Sequence, residues 1–303
     1  MKYKTTLVPA LVTALMAGAA LAANGRAAAQ TAATQLPECD EQCLMSVMDR
    51  FITAMTARRN EDIPLAQHAE IRENARIVPL SETAWTGVKT VRSRMTFADP
   101  VTGNVVARAG VELAGGKAGY ISTRLKVVAG GRITDVELSA DTSPAVVASY
   151  VWNLDPQFSS VLPPEQRMSR MALEALARRY FHSLSTHEAV RTDFDERCNR
   201  FHSGRQITNT AVNPVEGGAP RTCAGSLAGN PPWGPATEQR FPVIDPARGV
   251  VLGVTLLHYP KLPNEPQMYV SEIFKVVGGR IVRVDNIGLM LQGVTTIGFA
   301  HEP

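Results

Sequence analysis

The chain has 303 residues, 45% hydrophobic and 19% charged, enough apolar material for more than one packed domain. Its formal charge of +3 sits in the first 29 residues, where Lys2, Lys4 and Arg26 meet no acidic residue. The remainder is neutral with both signs scattered, which excludes a nucleic-acid partner.

Lys2 and Lys4 precede an apolar run from Leu7 to Ala22. Ala20-Leu21-Ala22 has the small-x-small form of a cleavage site, and Ala27-Ala28-Ala29 offers a second. Residues 1–29 therefore read as an export signal cut after Ala22 or Ala29. The mature protein is expected in the periplasm or secreted, with no membrane association after signal cleavage.

Leu44, Met48, Phe51 and Met55 recur at helical spacing and predict an amphipathic helix over 41–58. A polar connecting block, 60–76, leads to strand-like runs at Val105–Leu113, Lys117–Val128 and Arg132–Ser139. Gly115-Gly116 and Gly130-Gly131 are placed for tight hairpins. After a linker at 146–164, Leu173, Leu176, Tyr180 and Leu184 mark a second helix over 165–186. A second polar block, 188–205, and strand runs at Val251–Tyr259, Gln267–Val277 and Arg280–Leu291 complete the order.

The two halves repeat each other. Asp99-Pro100-x-x-Gly103 returns as Asp245-Pro246-x-x-Gly249, and the run from Lys126 to Glu137 returns from Lys275 to Asp285. Phe51 to Tyr180 and Glu73 to His202 are both offset by 129, whereas Asp99 to Asp245 is offset by 146. The jump places a Gly/Pro-rich inserted loop in the second copy, at about 210–236. The domains are thus a first repeat at 39–145 and a second at 165–295. A helix followed by a meander is an α+β plan: two tandem cone-shaped domains, each a helix packed on a curved antiparallel sheet. The Asp-Pro-x-x-Gly motifs are turn chemistry, and Lys126 and Lys275 are expected to point to solvent.

Four cysteines in an exported chain suggest two disulfides, with three possible connectivities. Cys198–Cys223 is favoured because it would tether the inserted loop, and this leaves Cys39 with Cys43. In a regular helix that spacing is too wide for a disulfide, so Cys39 is expected just outside it, beside the capping candidate Asp40. The spacings fit no common zinc pattern.

A helix, a polar segment and a bent sheet ending in a Gly-Gly-Arg-Ile hairpin resembles the nuclear transport factor 2-like superfamily, which includes ketosteroid isomerase and the polyketide cyclases. More narrowly, Arg72-Glu73-Asn74 ahead of Trp85, with Cys198-Asn-Arg200-x-x-x-Gly204-x-x-x-Thr208-Asn209, resembles an uncharacterised family of secreted proteins of fungi and bacteria. The chain departs from that pattern at Ala75, where a glycine is usual, and at His202-Ser203, where Glu-Asn is usual. The superfamily resemblance implies an apolar pocket between helix and sheet, one general base, an oxyanion donor and no cofactor or metal. It also implies an internal pseudo-dimer of the two repeats, with a homo-oligomer as a further option.

His202 is the leading candidate base, because it matches Glu73 of the other copy and titrates near neutrality. The competing reading is an ordinary histidine beside a disulfide, and Glu73 could belong to a salt-bridged surface turn. His258 and Tyr259 end a strand, where either could donate to an oxyanion or simply form an aromatic edge. Arg200 and Arg205 could clamp a carboxylate or pair with Asp193, Asp195 or Glu196. Trp85 and Trp233 could stack on a ring or plug a core. Arg72, Asn74 and Asn209 join the substrate-binding candidates through the motifs. No nucleophile elbow, phosphate loop, dinucleotide fingerprint or His-x-x-x-His pair occurs in the sequence. Two functions stay open: a cofactor-independent lyase or isomerase acting on a small aromatic, sugar-derived or polyketide-like compound, and a non-catalytic module that binds one.

Overall fold

The computed structural model describes residues 38–211, 221–228 and 233–299. The expected signal and, within the expected inserted loop, residues 212–220 and 229–232 lie outside the described residues. The first repeat opens with α1 (Glu41–Ala57), capped by Asp40, whose side chain accepts the Cys43 amide at 2.8 Å. Cys39 sits before the cap, and the Cys39–Cys43 disulfide spans a Cα separation of 5.2 Å. Strands β1 (Leu65–Glu73), β2 (Arg76–Ile77), β3 (Val88–Asp99), β4 (Asn104–Leu113), β5 (Ala118–Val128) and β6 (Arg132–Asp141) follow. A short α2 (Ala148–Val151) lies in the connection. The second repeat has α3 (Arg170–Thr186), β7 (Phe194–His202), β8 (Arg205–Gln206), α4 (Cys223–Leu227), β9 (Ala236–Asp245), β10 (Val250–His258), β11 (Gln267–Val277) and β12 (Arg280–Leu291).

The two sheets have one topology, β2-β1-β6-β5-β4-β3 and β8-β7-β12-β11-β10-β9. Each carries its helix on one face, and the α+β class with two tandem cones stands. The sheets are not wholly antiparallel, because β1 runs parallel to β6 and β7 parallel to β12. The polar blocks are therefore not connectors but strands. Their half-exposed edge positions lack the clean alternation that marks a strand in sequence. The first meander strands, β3 and β9, have no counterpart among the strand runs expected from the sequence. The second helix starts at Arg170 rather than 165, because Ser169 caps it and Pro163-Pro164 holds the preceding turn outside it.

The repeated motif closes the β3–β4 and β9–β10 turns. Gly103 (φ 67°) and Gly249 (φ 61°) occupy left-handed backbone, and a Cβ there would meet the carbonyl of Val127 or Val276. Lys126 donates to the Thr102 carbonyl and Lys275 to the Arg248 carbonyl, each the residue before the glycine. Both lysines thus turn inward to cap the motif instead of reaching solvent. Lys275 also donates to Ser160 O at 2.9 Å, and burial pushes its pKa down to about 8. Turn carbonyls left without backbone partners are what draw these ammonium groups in.

The sheets pack through their faces opposite the helices, with Met95, Phe97 and Val106 of one repeat against Val243, Leu252 and Ile273 of the other. Embedded in this layer are two matched contacts. Tyr120 on β5 donates to Asp285 on β12 at 2.8 Å, and Tyr269 on β11 donates to Glu137 on β6 at 3.2 Å. Each tyrosine is the other's counterpart, as are the two carboxylates, so the contact is the isologous one of a symmetric dimer within one chain. Arg108 pairs with Asp285 at 2.9 Å, and Arg124 pairs with Glu137 at 2.7 Å. Burial alone would raise the Glu137 pKa, but the Arg240 and Arg124 guanidiniums outweigh it and hold it below the usual carboxylate range. Asp285 has one guanidinium, and burial keeps its pKa raised.

Short antiparallel turns join β1 to β2 and β7 to β8, with Asn74-Ala75 (φ 50° and 65°) matching Ser203-Gly204 (φ 45° and 82°). Asparagine and glycine tolerate this left-handed pair of residues, and alanine does not. Ala75→Gly is therefore expected to stabilise the protein by about 1 kcal/mol, raising Tm by roughly 2–4 °C. Thermal unfolding of the two proteins side by side checks this.

Candidate active site

The ladder registers make the repeats comparable residue by residue. Glu73 pairs with Leu138, and His202 pairs with Asn286. Thr123 pairs with Leu138, and Glu272 pairs with Asn286. In the first cone Phe51 of α1 lies over Ile71, Thr123 and Leu138 of the sheet; in the second the matching positions are Tyr180 of α3 and Arg200, Glu272 and Asn286. One fold carries a floor that is apolar except for Thr123 in one copy and a polar, charged one in the other.

The first cone is filled. Trp85 is fully buried, and its indole Nε1 donates to Thr123 Oγ1 at 2.9 Å. Its mouth is tied as well. The Asn74 amide exchanges two hydrogen bonds with the Ala140 backbone, at 2.9 and 3.2 Å, and Glu73 accepts the Ala84 amide at 2.7 Å. Burial raises the Glu73 pKa, with the Ala84 bond opposing. Arg72 pairs with Glu70 and lies 5.6 Å from the Phe299 ring. Every candidate in this copy is thereby engaged in structure.

In the second cone Tyr180 donates to Glu272 Oε1 at 2.9 Å, and Asn286 Nδ2 donates to the same oxygen at 3.0 Å. Arg200 lies 3.9 Å from Glu272 and donates to Ser226 Oγ at 2.7 Å. It does not pair with Asp193, Asp195 or Glu196, because its side chain points into the cone, where it is 6% exposed. Glu272 Oε2 and Asn286 Oδ1 are buried acceptors without a hydrogen-bond partner. Burial raises the Glu272 pKa, with Arg200 and its hydrogen bonds opposing.

Above this floor lies a cleft of about 400 Å³, lined by His202, Ser203 and Arg205, by Gly288, Leu289 and Met290, and by Asp141, Ser143 and Ala145 from the end of the first repeat. The Gly288 position is where ring and floor meet: a Cβ there would lie 2.7 Å from His202 Cε1 and 2.9 Å from Asn286 Oδ1. Burial lowers the His202 pKa from 6.5. Asp141 opposes, Arg200 and Arg205 reinforce, and a bond to the Gly288 backbone opposes. His202 is consequently a neutral base at pH 7.

The remaining candidates do not line this cleft. His258 faces Glu265 at 3.7 Å, and Tyr259 donates to Met268 Sδ at 3.8 Å while packing with Trp233 in the core. Asn209 donates to the Cys198 carbonyl at 2.7 Å, bracing the Cys198–Cys223 disulfide. Sequence reading missed Tyr180, Glu272, Asn286 and Asp141. Tyr180 and Asn286 are polar where the aligned first copy has Phe51 and Leu138, Glu272 is charged where it has Thr123, and that contrast was available in the sequence. Among the described residues no group of three or more His, Cys, Asp or Glu side chains is gathered for a metal ion.

Residues 166–288, the second repeat, match the family described as "Domain of unknown function (DUF8021)". No curated protein matches the chain. Among solved structures it is similar to a protein from Kribbella flavida DSM 17836, with 15% identity, covering 33% of this chain and 87% of that one, and a TM-score of 0.28. It is similar to a de novo designed protein with a curved β-sheet, with 21% identity, covering 38% and 99%, and a TM-score of 0.30. An NTF2-like protein of unknown function from Cytophaga hutchinsonii ATCC 33406 gives 16% identity, 32% and 89% coverage, and a TM-score of 0.26.

Because the folded state holds His202 less readily protonated than the unfolded chain does, stability rises with pH through the range below 6.5. Acidification from about pH 7 to about pH 5.5 should therefore cost wild type more stability than a His202→Gln variant. Urea denaturation of both proteins at both pH values checks it.

Proposed function

We propose that the second repeat is an exported, cofactor-independent lyase or isomerase that moves a proton on a small organic compound bound in the His202 cleft. The observation that carries this is the contrast between the cones. A buried Arg–Glu–Tyr–Asn group costs desolvation that an apolar floor avoids, and the first repeat folds without one. Polar groups kept where the same fold manages without them belong to a site. Two disulfides support export, and among the described residues no helix is long and apolar enough to cross a membrane.

In this reading the neutral His202 imidazole takes a proton from a carbon beside a carbonyl, and the electron pair passes to the carbonyl oxygen. Arg205, on the same cleft, offsets the negative charge that develops. Return of the proton to another carbon completes an isomerisation, and departure of a neighbouring group completes an elimination. Arg200 and Glu272 lie behind His202 and set its environment instead of touching substrate.

The test is mass spectrometry of the oxidised mature protein incubated in deuterated buffer with small-molecule extracts and a panel of aromatic and sugar-acid compounds. Wild type should yield a product, or deuterium in a recovered compound, and His202→Ala should lower the rate by about 10²–10⁴-fold. Full turnover by His202→Ala would remove that residue from the mechanism. A compound retained unchanged by both proteins would make this a binding module.

A further inference from the structure

The cleft contains two polar groups that the fold leaves uncommitted. Ser203 is 1% exposed, its backbone is held left-handed at φ 45°, and its Oγ has no partner. At the matching position of the first repeat, Asn74 reaches the Ala140 backbone and closes the mouth. Serine is too short to do so. Arg205 is half-buried, makes no ion pair among the described residues, and reaches only the Ala145 carbonyl at 3.5 Å. By contrast, Arg200 lies 3.9 Å from Glu272, and Arg283 is on Asp155 at 2.8 Å.

The charge balance of the lining narrows what can enter. Arg205 and Asp141 cancel, and His202 is neutral, so a dianion would meet one guanidinium and a repelling carboxylate. A monoanion can place its charge at Arg205 and a hydroxyl at Asp141, whose Oδ1 already accepts the Ser143 amide at 2.9 Å. Leu289, Met290 and Ala145 supply an apolar wall, and about 400 Å³ falls within the size of small-molecule sites. A planar carboxylate matches the guanidinium fork.

We propose that the cleft binds a small hydroxycarboxylate, with its carboxylate on Arg205 and its hydroxyl shared by Asp141 and Ser203. The assignment rests on the reading of His202 as a base, and it deepens that reading by fixing the end of the substrate that the protein grips. It also explains why the end of the first repeat is part of the site. Asp141 terminates β6 of one repeat and faces the β7–β8 turn of the other, so the pocket needs both.

Calorimetric titration tests it with mandelate and glucuronate against mandelamide, glucuronamide and phenylacetate, on wild type, Arg205→Gln and Arg205→Lys, with circular dichroism to verify folding. At least one hydroxy acid should bind. Its amide, and the acid on Arg205→Gln, should bind about tenfold or more weakly, with Arg205→Lys between, since a charge-assisted fork is worth about that much. For mandelate, removal of the hydroxyl in phenylacetate should weaken binding further. An amide that binds as well as its acid, binding indifferent to Arg205→Gln, or no binding by any probe at millimolar concentration would overturn the assignment. Arg205-dependent binding without turnover of any compound would leave the substrate class standing and sink the catalytic reading. His202-dependent turnover of a compound that lacks a carboxylate would do the reverse.

Discussion

Two tyrosine hydroxyls, each reaching across the sheet interface to a carboxylate of the other repeat, set the arrangement on which the remaining features depend. Asp285 is fully buried, and Arg108, Tyr120 and Tyr150, which satisfy it, come from the first repeat or the connection after it. Glu137 draws Arg240 and Tyr269 from the second repeat. Separating the repeats would take Arg108, Tyr120 and Tyr150 from Asp285, leave Glu137 with Arg124 alone, and open the apolar faces between them to water. The halves therefore behave as one body, and the ends of their strands meet at fixed places. One such meeting, Asp141 against the His202 turn, is the wall of the cleft.

Duplication supplies an internal control that single-domain proteins lack. The fold is satisfied by a first cone with Trp85 seated on Thr123 and an asparagine bridging its mouth. The second cone gives up that packing for Tyr180, Arg200, Glu272 and Asn286. Trp233, in the comparable loop, donates instead to the Leu184 carbonyl and leaves the floor to polar groups. Stability is commonly traded in this way where chemistry needs buried polarity.

Much of this was legible in the sequence. The repeat offsets placed Glu73 and His202 at one position, and the ladder registers put them opposite the equivalent residues Leu138 and Asn286. The inserted loop favours Cys198 with Cys223 and leaves Cys39 ahead of the helix with Cys43, and both disulfides are present. Three things were not legible. A parallel β1–β6 pair joins strands far apart in sequence, and no local period reports it. Lys126 and Lys275 looked like solvent-facing strand residues, yet the carbonyls that attract them belong to a turn more than twenty residues earlier. The Glu272–Asn286 pair requires the strand register, and a one-residue bulge near Lys275 shifts it, so alternation counted from the hairpin would misplace both.

The central claim is that the second cone keeps its polar floor for function and at a cost to stability. The most direct measurement is urea denaturation of a variant carrying Tyr180→Phe, Arg200→Met, Glu272→Leu and Asn286→Leu, an apolar set that follows the first repeat at Tyr180 and Asn286. Stability equal to wild type or higher by about 1–4 kcal/mol is expected, as found when buried ion groups give way to apolar residues of similar volume. A loss of several kcal/mol, or failure to fold, would show that the polar floor holds the cone together and would contradict the account.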